Sequence, residues 1–245
     1  MQSKLHVRYS LKLFPNVTSL AQLSSRNVLK RIKQTQHSPL RAVLQGKTPE
    51  TQRYVAGALD VEVPVTTIQT LSEPVQGAIF VGIFSVLVAS SVALCTLTDL
   101  SWAHSPSAPY IFGLSFTAAG VAHFTLHDDF CSMMPTQGAW GFWNLPGSAS
   151  FHVNWTGIAE LAGGLGLLSS TIPAVSEALP WLQSASALGL CVLSVAVTPS
   201  NIFMATHNAP GPGPKDKVIP PLGHIFRGGM QIVLWTALWG LSRGS

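Results

Sequence analysis

The sequence predicts an all-α fold, a transmembrane helical bundle, and three observations carry that expectation. Charged residues make up only 10% of the 245 residues, against roughly 25% in a soluble domain. Apolar residues reach 47% and gather in long runs instead of spreading evenly. None of those runs alternates with a period of two, so an outer-membrane strand pattern is excluded and helices remain.

The charge is split along the chain. Ten of the 14 Lys and Arg residues lie at or before Arg53, and the first acid is Glu50. From Glu50 onward ten acids face five bases, a net of −5. Residues 1–50 are therefore read as a basic organelle transit peptide, cleaved between Leu40 and Arg53. Leu20–Ile32 has the make-up of a short basic amphipathic helix, and no early apolar core of a secretory signal precedes it. The alternative is a basic tail that stays attached. A chloroplast is favoured over a mitochondrion as the destination. The basic segment lacks aromatic interleaving, so nucleic acid is not an expected partner.

Residues 51–74 read as a polar linker. Five spans follow, at about 75–97, 110–126, 155–172, 181–206 and 225–241. The first is 23 residues without a charge, long enough for a hydrocarbon core about 30 Å thick. Pro109 opens the second and His127-Asp128-Asp129 closes it. The loop from Asp128 to Val153 is rich in Trp140, Phe142, Trp143 and Phe151, which suits a membrane interface. Pro173–Pro180 turns the chain into the fourth span, which contains Pro199. A Gly/Pro loop carrying Lys215, Asp216 and Lys217 leads into the last span.

Direction of travel then sorts the polar residues. The turns at Asp99–Pro109 and Pro173–Pro180 share one side, here side A. His123 and His127, Glu160, Asn201, His207, His224, Arg227 and Gln231 all fall toward the other, side B. His123 and His127 are four residues apart on one helical face, and His224, Arg227 and Gln231 share another. Glu160 and Arg227 are the expected ion pair, since an ionisable residue inside a span needs a partner. Asn201 is expected to satisfy backbone freed by Pro199. Arg53, Lys215, Lys217 and Arg227 on side B against Arg243 on side A place side B toward the stroma or matrix.

Four segments in order resemble the DoxX-like family of small membrane proteins. They are Gly113-Leu-Ser-Phe-Thr-Ala-Ala-Gly-Val-Ala-His123-Phe, Gly157-Ile-Ala-Glu160-Leu-Ala-Gly-Gly-Leu-Gly-Leu-Leu, Thr198-Pro-Ser-Asn201-Ile-Phe-Met-Ala and Arg227-Gly-Gly-Met-Gln231. The resemblance covers about residues 110–241. It implies a four-helix core, to which this chain adds the span at 75–97 and the basic presequence. It also implies an association with sulfur or quinone-linked redox complexes.

The candidate ligand-binding residues are His123, Glu160, Asn201, Arg227 and Gln231. A quinone fits such a set, because its carbonyls accept from His, Asn or Arg. His123, His127, His207 and His224 are candidate ligands for a transition metal, and a haem between His123 and His207 is a further reading. Against these stands helix glue, with the polar groups merely joining spans in a structural or assembly subunit of a larger complex. A transporter is a third reading. No phosphate loop, dinucleotide fingerprint, nucleophile elbow or HExxH motif is present. Cys95, Cys131 and Cys191 form no CxxC pair; Cys131, beside two aspartates, is the one to probe for reactivity.

Overall fold

The structure, a computed structural model, describes residues 50–213 and 218–243. The chain divides after Thr48, and the expected transit peptide lies outside the described residues, as do Lys215, Asp216 and Lys217.

Among the described residues, five long helical segments occupy the five apolar runs. They are α1 (Glu73–Leu97), α2 (Ala108–Thr125), α4 (Ala149–Ser169), the pair α6 (Leu182–Ala196) and α7 (Thr198–His207), and α8 (Pro221–Ser242), with short helices α3 (His127–Ser132) and α5 (Pro173–Ala178) between them. Pro74, Pro109, Pro199 and Pro221 stand in the first turns of α1, α2, α7 and α8, where the missing N–H costs nothing and the fixed φ helps. Ser148 caps α4 by accepting from Phe151 N at 3.1 Å. Pro199 divides the fourth segment at Val197.

Helices α2 and α4 pack antiparallel with their backbones nearly touching. Gly113 and Gly120 on α2 face Gly164 and Gly157 on α4. A Cβ at Gly164 would lie 2.6 Å from Thr117 N, and one at Gly120 would lie 2.8 Å from Leu161 N. Glycines seven residues apart on each helix therefore keep one stripe open for the other helix. Around this pair, Phe116, Leu167, Leu190, Leu238 and Leu241 form one core cluster, and Phe80, Trp140, Ile202, Phe203 and Met204 form another nearer side B.

The polar stretch at 51–74 is not a linker, and the fold is not purely α-helical. Strand β1 (Thr51–Ala56) pairs antiparallel with β2 (Leu59–Pro64), Ala56 opposite Leu59. Gly57, at φ +58°, supplies the left-handed residue that a two-residue hairpin turn requires. Leu59 and Val63 are buried while Asp60 and Glu62 face out. An isolated two-stranded hairpin is marginal in water, and this one is fastened to the bundle. Tyr54 Oη and Gln52 Nε2 both donate to His207 O, and Thr66 Oγ1 donates to Thr206 O. These are the last carbonyls of α7, which no helical N–H can reach. Asn208, left-handed at φ 51°, returns a bond from Nδ2 to Pro64 O at 2.8 Å. Burial pushes the Tyr54 phenol well above its ordinary value.

The loop after α3 is equally ordered. Trp140 has φ 55° and ψ 15°, unusual for a bulky residue. Gly138 and Gly141 on either side also have positive φ. This turn drives the indole into the core, against Phe80 at 4.5 Å and Phe203 at 5.7 Å between centroids, with Nε1 donating to Thr206 Oγ1 at 3.0 Å.

Among the described residues two segments, Glu73–Leu97 and Leu182–His207, are long and apolar enough to cross a membrane. Only 17% of the most apolar part of the first is buried within the protein, so α1 turns an apolar surface outward.

Candidate functional site

A cavity of about 560 Å³ opens between α2, α4, α7 and α8. His123 from α2, Glu160 from α4, Asn201 from α7, and Arg227 and Gln231 from α8 all line it. Most of the remaining wall is apolar or aromatic, including Phe116, Phe130, Met134, Trp155 and Leu234. A small polar set in an apolar chamber of this size is the usual make-up of a small-molecule site.

Glu160 and Arg227 share this cavity but not an ion pair. Glu160 instead approaches His123, Oε2 to Nδ1 at 3.3 Å. That approach is no hydrogen bond, because Nδ1 already meets Ala119 O at 3.0 Å. A ring nitrogen carries at most one hydrogen, and the carbonyl, which only accepts, requires it. Glu160 Oε2 is left buried without a donor, in a residue 8% exposed. His123 is held flat on Phe130, ring centroids 4.0 Å apart. Gly157 makes room for it, since a Cβ there would come within 2.7 Å of His123 Cβ.

Arg227 turns to α7. Its Nη2 donates to Asn201 Oδ1 at 2.5 Å and its Nη1 lies 3.2 Å from Met204 Sδ. Asn201 therefore serves side chains on α8, not the backbone that Pro199 loosens. Beside that break, Ser194 O accepts from Thr198 Oγ1 at 2.8 Å and from Gln231 Nε2 at 3.3 Å.

The four candidate metal-binding histidines do not converge. Among the described residues no three His, Cys, Asp or Glu side chains surround a common point. His207 is stacked on Phe203 at 4.4 Å. Its Nδ1 meets Thr206 Oγ1 at 2.8 Å, a hydroxyl that also takes Trp140 Nε1 and donates to Ile202 O. With that hydroxyl's hydrogen spent, His207 Nδ1 is the donor. His224 lines two smaller cavities, of about 230 and 70 Å³, beside this one. His127 opens onto a separate vestibule of about 610 Å³, and Met134, Trp143, Leu145 and His152 border both it and the cavity.

Cys131 is in this vestibule. Its Sγ lies 3.7 Å from His127 Nδ1 and 3.8 Å from Nε2. Nearly equal distances to both nitrogens mean the sulfur packs across the ring and is not aimed along an N–H bond. Burial, and then the nearby Asp128 carboxylate, push the thiol above its ordinary range. Neither feature favours a reactive thiolate.

His152 and Thr156, two turns and one turn before Glu160, also line the cavity. Their spacing from Glu160, eight and four residues, was the available signal.

Comparison with family models, curated proteins and solved structures gives no match. The fold and the cavity define a class nonetheless: a mostly helical protein that has, among the described residues, two segments apolar enough for a bilayer and an amphiphilic chamber between helices.

Proposed function

We propose that the chain is an integral membrane protein of an organelle, a chloroplast by preference, of the DoxX-like type. In this reading all five long helical segments cross the bilayer, and the chamber binds a small lipophilic ligand such as a quinone as part of a redox-linked or accessory subunit. The convergence of His123, Glu160, Asn201, Arg227 and Gln231 from four helices on one apolar chamber carries the reading. The outer surface supports the membrane part. Ile111 and Leu114 on α2, Ile158 and Leu165 on α4, and Phe226 and Val233 on α8 are exposed, as suits contact with lipid tails. Exposed Trp102, Trp181 and Trp239 lie toward side A, and exposed Phe142, Phe151 and Trp155 toward side B. Aromatic residues gathered at both ends of a bundle match the two membrane–water interfaces.

Chemically, the chamber offers donors and an acceptor on different walls. A quinone carbonyl accepts from Arg227, Asn201 or Gln231, and a quinol hydroxyl donates to the donor-less Glu160 Oε2. The protein supplies position and dryness; electron transfer belongs to the ligand.

The test is to purify the full chain from membranes in mild detergent and record its optical spectrum, metal content and extractable lipophilic molecules together. A stoichiometric quinone, lost in Glu160→Gln while the protein still accumulates, supports the site. A colourless, ligand-free protein that leaves the column only with a larger complex favours a structural subunit. An import assay on residues 1–53 fused to a reporter tests the destination.

A further inference from the structure

The hydrogen bonds along the α7–α8 wall of the cavity run in a single sense. Arg227 donates to Asn201 Oδ1, Asn201 Nδ2 donates to Gln231 Oε1 at 3.3 Å, and Gln231 Nε2 donates to Ser194 O. The series begins at a guanidinium, which only donates, and ends at a backbone carbonyl, which only accepts. Neither amide can be turned round without setting donor against donor or acceptor against acceptor, so the orientation of both is fixed from the ends. Each amide oxygen is engaged within the series. What the wall holds out to a ligand is N–H: the second hydrogen on each amide nitrogen and the remaining hydrogens of Arg227.

The wall also carries an unbalanced positive charge. Among the described residues no carboxylate lies within ion-pair distance of Arg227, and its other hydrogen-bond partner is the weak acceptor Met204 Sδ. A guanidinium in an apolar chamber without a counter-charge is costly unless something supplies one. Glu160, on α4, gives the chamber one acidic wall, so an anion has a single favourable seat.

We propose that the chamber takes an amphiphile with an anionic oxygen head, a carboxylate or a phosphate, seated on Arg227, Asn201 and Gln231 with its apolar body against Phe116, Leu234 and Trp155. The inference rests on the chamber being a ligand site. Free fatty-acid-type carboxylates and the phosphate of a membrane lipid share the head chemistry.

The experiment is a binding titration of the full-length protein, in non-ionic detergent, with four probes: dodecanoate, its methyl ester, a short-chain phosphatidic acid and a neutral alkyl quinone. Dodecanoate or phosphatidic acid is expected to bind at least about tenfold tighter than the ester, the size of one charge-assisted hydrogen bond. The tighter of the two anions names the source. Arg227→Gln is expected to erase the difference and Arg227→Lys to keep most of it. The probe series is read on the unaltered protein, so a misfolded variant does not blunt it. Equal affinity for acid and ester overturns the anionic head. If the quinone then still binds, the ligand site stands and only its charge preference falls. If none of the four binds, the chamber is not a ligand site, and both readings fall.

Discussion

Two helix contacts in this bundle solve the same packing problem in opposite ways. Along the α2–α4 seam, side chains are removed until backbones meet: Gly113 and Gly120 oppose Gly164 and Gly157. Along the α7–α8 wall, side chains are long and polar, and Arg227, Asn201 and Gln231 hold the helices through one another. The first contact leaves no room and the second leaves a chamber of about 560 Å³. Space for a ligand exists where the chain spends bulk on hydrogen bonds in place of close approach. The seam in turn gives α4 a fixed platform from which Glu160 and Thr156 face that space.

If this contrast is right, the seam should be brittle and the wall forgiving. The largest effect is expected at Gly164, where leucine should stop folded protein from accumulating and alanine should cost about 1–3 kcal/mol by overpacking. Unfolding in micelles, followed by circular dichroism, measures it; an alanine variant as stable as the parent would mean that the seam has slack. Next comes Thr206→Val, which strips the acceptor from Trp140 Nε1 and should cost about 1–2 kcal/mol, seen as the same shift in unfolding. Asn201→Ala on the wall should cost less, about 0.5–1.5 kcal/mol, because the chamber lets neighbours rearrange, yet it should weaken ligand retention. Glu160→Gln should leave stability within about 1 kcal/mol, since Oε2 has no partner to lose and an unpaired buried carboxylate is itself unfavourable. The smallest effect concerns Cys131. Its alkylation rate against pH should reach half-maximum above the value for an exposed thiol, as burial beside Asp128 requires. A midpoint at or below that value would point to a thiolate stabilised in the vestibule.

The helices were legible because apolar runs with proline at their starts leave few alternatives. The hairpin was missed although its pattern was present: Leu59, Val61 and Val63 alternate with Asp60 and Glu62 after a glycine turn. Its strands are only six residues each, and acids on one face made the segment read as polar linker. For the site, connectivity gives how deep each residue lies along its helix but not which way it points around the axis. Depth alone makes partners of Glu160 and Arg227, whereas the structure turns one toward His123 and the other toward Asn201. The histidines failed to converge for the same reason. His127 lies in the vestibule, whereas His207 lies in an aromatic cluster with Phe203 and Trp140.

The fastening of the hairpin has a consequence for the order in which the protein is completed. Gln52 and Tyr54 bond to a carbonyl 155 and 153 residues further on, so these two bonds cannot form until His207 has left the ribosome. The hairpin, synthesised before helices α1 to α7, is thus fastened to α7 only after all of them have been made. Its state reports on whether the helices between have found their places. A nick at Gly57 by an added protease should be frequent in nascent or truncated chains and rare once α7 is seated, which makes the hairpin a built-in seal on finished molecules.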